Sequence, residues 1–176
     1  MQILSYVFST LSIICMISAS LIKGDKMKTI LFLVFCGNFL TATSYIAAGG
    51  GINGAISCYL GSAQTIVNYF FQVKGRTVPT WLIVIYAVLY VALNIFISGI
   101  TPLGILVIVA SLTFIMCIGQ TSGAKYRFWT IVNMVLWCTY DILSKSYGAL
   151  LTHICLFAFT VIGMIIHDRK KKEESL

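Results

Sequence analysis

The sequence predicts an all-α integral membrane protein of seven transmembrane helices, arranged as two like-oriented triplets joined by a single linker helix. Three observations lead there. Of the 176 residues, 59% are hydrophobic and 10% charged, against about 25% charged in an ordinary soluble domain, so charges are too few to cover a water-facing surface. The apolar residues fall in blocks of about 17–22, the helical length that crosses a hydrocarbon core of about 30 Å. Blocks such as Leu103–Ile118 are apolar on every face, whereas the strands of a membrane barrel would alternate apolar and polar positions.

Taken in order, the first helix is expected at about 3–22. It has no positive segment before it, and Lys23, Lys26 and Lys28 follow it, so it reads as an uncleaved span rather than a signal peptide. The second, at about 29–48, stops at Gly49-Gly50-Gly51, and the third, at about 55–73, stops before Gly75 and Pro79. The fourth, at about 81–98, ends at Gly99, and the fifth, at about 103–119, follows Pro102 and ends at Gly119. The sixth, at about 126–146, follows Gly123 and stops before Gly148, and the seventh, at about 149–167, runs into Arg169–Lys172. The whole chain is one membrane domain: a first three-helix repeat at 1–76, a linker helix at 77–101, and a second repeat with a basic tail at 102–176.

Eleven of the twelve basic residues follow odd-numbered helices, and only Lys145 lies on the opposite side. The positive-inside rule then places the C-terminus in the cytoplasm and the N-terminus outside. The net charge of +7 is accounted for by topology, and no aromatic–basic motif points to nucleic acid. All six cysteines lie inside apolar blocks without a C-x-x-C pair, as packing residues rather than disulfide or metal ligands. No cofactor is expected. Tyr6, Trp81, Tyr126 and Trp129 sit at block ends, where they read as interfacial anchors.

A repeat joins the two halves. Asn38–Tyr45 reads NFLTATSY and Asn133–Tyr140 reads NMVLWCTY, 95 residues apart, with Gly54 and Gly148 following at a spacing of 94. Three helices end opposite their start and the linker helix brings the chain back, so both copies point the same way, about an axis along the membrane normal.

The stretch from Phe128 to Arg169 carries Trp137-Cys138-Thr139-Tyr140-Asp141, then Ser146-Tyr147-Gly148-Ala149 and a basic helix end. It resembles the YgjV family of bacterial inner-membrane proteins, in which Trp, then Tyr or His, then Asp or Asn close the sixth helix before a small-residue turn. In topology the chain resembles the wider SWEET and PQ-loop class, which includes sugar transporters and the nicotinamide riboside (PnuC-type) transporters. The resemblance implies a SWEET-like fold, a bacterial plasma-membrane location and transport. The vitamin transporters' three tryptophans spaced by two residues are absent, since Trp129 and Trp137 stand eight apart, which counts against nicotinamide riboside. The proline that names the PQ-loops is missing from 3–22 and 103–119.

Polar groups in hydrocarbon are costly and face a bundle interior or a wet cavity. On the sixth helix Asn133, Trp137, Tyr140, Asp141 and Ser144 share one face. The second helix repeats the stripe with Asn38, Thr41 and Tyr45, and the third carries Ser57, Gly61, Gln64 and Asn68. Asn38, Gln64 and Asn133 should lie at similar depth, where uncharged amides suit a neutral polyol, nucleoside or vitamin. The candidate substrate-binding residues are therefore Asn38, Tyr45, Gln64, Asn133, Trp137 and Tyr140. Plain interhelical hydrogen bonding, at about 0.6 kcal/mol per contact, is the rival reading for the amides. Asp141 and His153 are candidates for ion or proton coupling. The rival for Asp141 is a pair with Lys145 four residues on, and for His153 a single bond to a neighbouring helix. Asn94 reads as packing.

No phosphate loop, H-E-x-x-H or nucleophile elbow is present, so an enzyme is not expected. The function expected is a transporter or facilitator of a small polar solute, by alternating access between the two three-helix bundles. The alternatives are a non-transporting receptor or assembly factor, and an intramembrane enzyme, which would need Asp141 within hydrogen-bond reach of His153. The partners expected are the bilayer and the solute, with a homo-oligomer left open.

Overall fold

A computed structural model describes residues 2–49 and 52–173. Gly50, Gly51 and Glu174 lie outside the described residues, as do the side chains of Arg169, Lys170, Lys171 and Lys172. The described chain is seven helices: α1 Gln2–Leu21, α2 Met27–Ala48, α3 Ile52–Val73, α4 Thr80–Ser98, α5 Pro102–Ile118, α6 Gly123–Leu143 and α7 Tyr147–Glu173. The largest departure from expectation is at the end of α7. Arginine, lysine and glutamate are good helix formers, so the helix continues past the last apolar residue. Thr101 caps α5 by accepting from the Gly104 N–H at 3.1 Å, with Pro102 at the first helical position.

Among the described residues, four helices are long and apolar enough to cross a membrane: Ile3–Leu21, Met27–Ala48, Thr80–Ile97 and Tyr147–Asp168. α5 is short, at 17 residues. α3 and α6 are diluted by polar residues, but these are buried: Ser57, Gln64, Thr65 and Asn68 on α3, and Arg127, Thr130, Asn133 and Asp141 on α6. Large apolar side chains point outward instead, Phe96 being 88% exposed and Ile3 81%. This inside-out distribution is what a lipid solvent demands.

Helices in lipid associate through close packing and interhelical hydrogen bonds rather than hydrophobic burial, and the seams here follow that rule. α1 lies antiparallel to α2 on a serine ladder, with Ser9 bonded to Ser44 at 2.6 Å and Ser12 to Thr41 at 2.6 Å. α2 and α3 meet through Thr43 and Tyr59 at 3.0 Å. On α4, Asn94 donates to the Tyr90 carbonyl at 2.8 Å and to Ser57 Oγ at 3.2 Å. Asn133 Nδ2 ties α6 to α5, donating to the Ala110 carbonyl and to Thr113 Oγ1 at 2.7 Å.

Two further seams close a ring. α1 runs beside α7 in the same direction, with Ser20 bonded to Thr160 at 3.0 Å and His167 to the Leu21 carbonyl at 3.0 Å. α3 runs beside α5, also in the same direction, with Asn68 Nδ2 donating to the Ile118 carbonyl at 3.2 Å. The order around the ring is α1, α2, α3, α5, α6, α7, and α4 packs outside against α3 and α5. Two glycines permit the α1 contacts: a Cβ on Gly163 would collide with the Ser20 carbonyl oxygen, and one on Gly123 with the backbone of Gly24.

Candidate functional site

The polar faces of α2, α3 and α6 turn to the middle of the ring, and residues of all seven helices line a cavity there of about 30 Å³, room for about two waters. Asn38 and Thr41 reach it from α2, Ser57 and Cys58 from α3, Tyr90 from α4, Ser111 from α5, Asn133 and Trp137 from α6, and His153 from α7. Four lining atoms are buried without a protein hydrogen-bond partner: Asn38 Nδ2, Tyr90 OH, Ser111 Oγ and Asn133 Oδ1. Each such group costs about 1–3 kcal/mol if left dry. Together they demand a hydrogen-bonding occupant.

Asn38, Asn133, Trp137 and His153, picked out in the sequence, therefore share one cavity. Gln64 is buried on α3 but does not line it, and its Oε1 has no protein partner. Tyr140 packs edge-on against Trp137, with ring centroids 5.6 Å apart at 89°. Tyr126 is not an interfacial anchor: it is buried and lines the cavity, because the first turn of α6 lies under the α1–α2 loop at Gly24. Tyr6 and Trp81 are exposed as anchors should be, and Trp129 is half-buried.

Asp141 is 0% exposed. Tyr45 OH donates to its Oδ1 at 2.6 Å across the ring from α2, and His153 Nδ1 lies 2.6 Å from its Oδ2. The imidazole also stacks on Trp137, centroids 5.6 Å apart at 24°. The Tyr45 ring lies over Gly54, where a Cβ would meet Cζ at 2.9 Å. The pair with Lys145 does not form. Lys145 is exposed in the left-handed region at φ 56°, and α6 ends there, with Ser146 N donating to the Asp141 carbonyl at 2.8 Å. A pocket of about 260 Å³ opens at this end of the bundle, lined by Ser5, Ser44, Tyr45, Lys145 and Ser146 among others. Tyr45 is in its wall, Asp141 is its partner, and His153 faces the central cavity. The three bonded side chains thus run from the pocket to the cavity.

The opposite end holds a cluster that charge counting hides. Arg127 is 1% exposed. Its Nη1 donates to Asp168 Oδ1 at 2.8 Å, its Nη2 to the Ile22 carbonyl at 2.8 Å and its Nε to the Ser20 carbonyl at 3.3 Å. The last carbonyls of a helix lack intrahelical partners, so Arg127 and His167 together cap α1. Its signal in the sequence was its position inside an apolar block rather than between blocks. A pocket of about 670 Å³ opens beside it, lined by Lys23, Asp25, Ser122, His167 and Asp168 among others.

A family model described as Imp-YgjV, bacterial inner membrane protein, matches residues 2–171. No curated protein and no solved structure matches the chain.

Proposed function

This chain belongs to the Imp-YgjV family of bacterial inner membrane proteins, and on that premise we propose that it is a transporter or facilitator of a small, uncharged polar solute. The observation that carries the reading is the central cavity, with its four unpartnered polar atoms among residues from every helix. Amide, hydroxyl and phenol groups offer donors and acceptors without fixed charge, which suits a neutral hydroxylated or amide-bearing solute.

In this reading all seven helices span the membrane, with the N-terminus outside and the C-terminus inside as the basic residues direct. The α1–α7 and α3–α5 seams, each of helices running the same way, support two like-oriented triplets, α1–α3 and α5–α7. With α4 as linker they would form the 3+1+3 arrangement of the SWEET-like class. At about 30 Å³ the cavity is too small for a metabolite, so in this reading the conformation is one that has not opened to either side. Bonds between the triplets hold each end: Tyr45 to Asp141 outside, next to the cavity lining, and Arg127 to the Ser20 and Ile22 carbonyls inside, away from it. Breaking one set and then the other would give alternating access. Asn38 and Asn133 would hold the solute, with Trp137 as its apolar wall.

The test is a thermal-shift screen of the detergent-solubilised protein against metabolites, since a ligand at 100 times its Kd stabilises by about 2.7 kcal/mol. The reading expects a neutral polar hit whose shift disappears in Asn38→Ala and in Asn133→Ala. A hit that keeps its shift in both variants contradicts it. A second reading, an intramembrane enzyme, draws on the 2.6 Å between Asp141 and His153. It needs a nucleophile at His153 Nε2, and among the described residues no hydroxyl or thiol hydrogen-bonds that atom.

A further inference from the structure

We infer that Asp141 and His153 share one exchangeable proton, and that this proton site forms the wall between the outer pocket and the central cavity. The inference takes its purpose from the transport reading, in which the proton is the coupling ion, but it stands on its own geometry.

The carboxylate has both oxygens engaged, Oδ1 by the Tyr45 phenol and Oδ2 by His153 Nδ1, each at 2.6 Å. No basic side chain joins them. α2 presents Tyr45 and α3 presents Cys58 in the same buried cluster. α6 adds Tyr140 beside Trp137, and α1 brings only the hydroxyls of Ser5 and Ser9, bonded to Ser44. Lys145 is exposed and forms no ion pair with Asp141. Among the described residues, His153 apart, the carboxylate has no cation paired with it.

That surrounding decides which form the closed site prefers. With one proton on the pair it is a carboxylate and an imidazolium, net zero, or their neutral equivalents. Without it the pair carries a net charge of −1 on a carboxylate that is fully buried, which is the costly state. Opening the wall towards the outer pocket hydrates the carboxylate and lowers that cost. Proton occupancy and closure are therefore linked, and the linkage runs both ways: a bound proton favours the closed wall, and closure favours a bound proton. The step is simple in its atoms. A hydronium ion in the opened outer pocket gives up one O–H bond and leaves as water, one N–H or O–H bond forms on the pair, and Tyr45 keeps its own proton throughout as a donor to Oδ1.

The site occurs in one triplet only. Under the repeat offsets, Ile46 stands at the Asp141 position and Tyr59 at the His153 position.

The stacked Trp137 is a built-in reporter, because an imidazolium in contact with an indole quenches its emission. In a Trp81→Phe, Trp129→Phe protein in nanodiscs, Trp137 is the sole emitter. The inference expects its emission to follow a one-proton curve as pH is varied. The curve should vanish in His153→Gln and be displaced along the pH axis in Asp141→Asn. Emission that stays flat over the whole pH range in which the protein remains folded, or a curve unchanged in His153→Gln, overturns the site. A curve identical in Asp141→Asn overturns the sharing. ¹⁵N-histidine NMR of the unsubstituted protein provides the same decision without any variant that must fold: His153 must exchange between two protonation forms. A titrating pair in a protein that binds no metabolite would keep the proton site and remove only the transport reading; ligand binding without titration would do the reverse.

Discussion

At one end of the bundle a buried aspartate, Asp141, meets a histidine and a tyrosine; at the other, Asp168 meets an arginine, with a histidine one residue away. The ingredients are alike and the neighbours are not. Arg127 spends its donors on Asp168 and on two carbonyls of the α1 terminus, so its charge is neutralised and a helix end is capped at once. Nothing in that cluster lines the central cavity. Asp141 has a partner, His153, whose ring does line it. The comparison teaches that a buried ion pair is read by what its second partner touches. The Arg127 cluster fastens α1, α6 and α7 together, and the Asp141 cluster stands between the outer pocket and the central cavity.

Substitutions at five positions bear on that contrast. Arg127→Met should be the most damaging to the fold, since it strands Asp168 and the Ser20 and Ile22 carbonyls. Breaking a buried pair on one side costs about 3–5 kcal/mol, visible as a lowered melting temperature in detergent, and Arg127→Lys should restore only part of it because an ammonium lacks the planar fork. Next comes Asn133→Ala, which loses its bonds to Ala110 and Thr113 and should cost about 1–3 kcal/mol. Asn38→Ala, whose Nδ2 has no protein partner, should be nearly neutral to stability while abolishing ligand binding equally. A destabilisation as large as that of Asn133→Ala would make Asn38 a structural residue. Tyr45→Phe should cost about 1–2 kcal/mol and raise the reactivity of Cys58 towards an impermeant thiol reagent added outside; unchanged reactivity would separate Tyr45 from the gate. Lys145→Gly should have the smallest effect, a gain of up to about 1 kcal/mol from relieving φ 56°. A loss there would revive the Asp141–Lys145 pair.

The helices were legible because lipid imposes long apolar blocks and glycine and proline interrupt them; each expected helix is present with its ends shifted by a few residues. The meeting of Asn38, Asn133, Trp137 and His153 was half legible. Helical spacing put Asn133 and Trp137 on one face, and the repeat put Asn38 opposite. Gln64 was assigned the right helix and the wrong direction, because α3 buries two polar flanks and only its packing against α4 and α5 selects which one meets the cavity. The Tyr45–Asp141 bond joins residues 96 apart, and local spacing favoured Lys145 instead. Helix termination at that lysine, a backbone event, turned its side chain away. Arg127 was hidden for a different reason: a charge near a block end satisfies the topology rule whether it faces water or caps a neighbouring helix.

The central claim, a polar cavity that opens alternately to each side of the membrane, can be tested without knowing the solute. Cys58 lines that cavity, so a variant with Cys15, Cys36, Cys117, Cys138 and Cys155 replaced by alanine leaves one thiol at the site. A membrane-impermeant methanethiosulfonate reagent is then applied to right-side-out and to inverted vesicles. Modification of Cys58 from both sides is the outcome expected; a folded protein whose Cys58 stays unmodified from both sides contradicts the account.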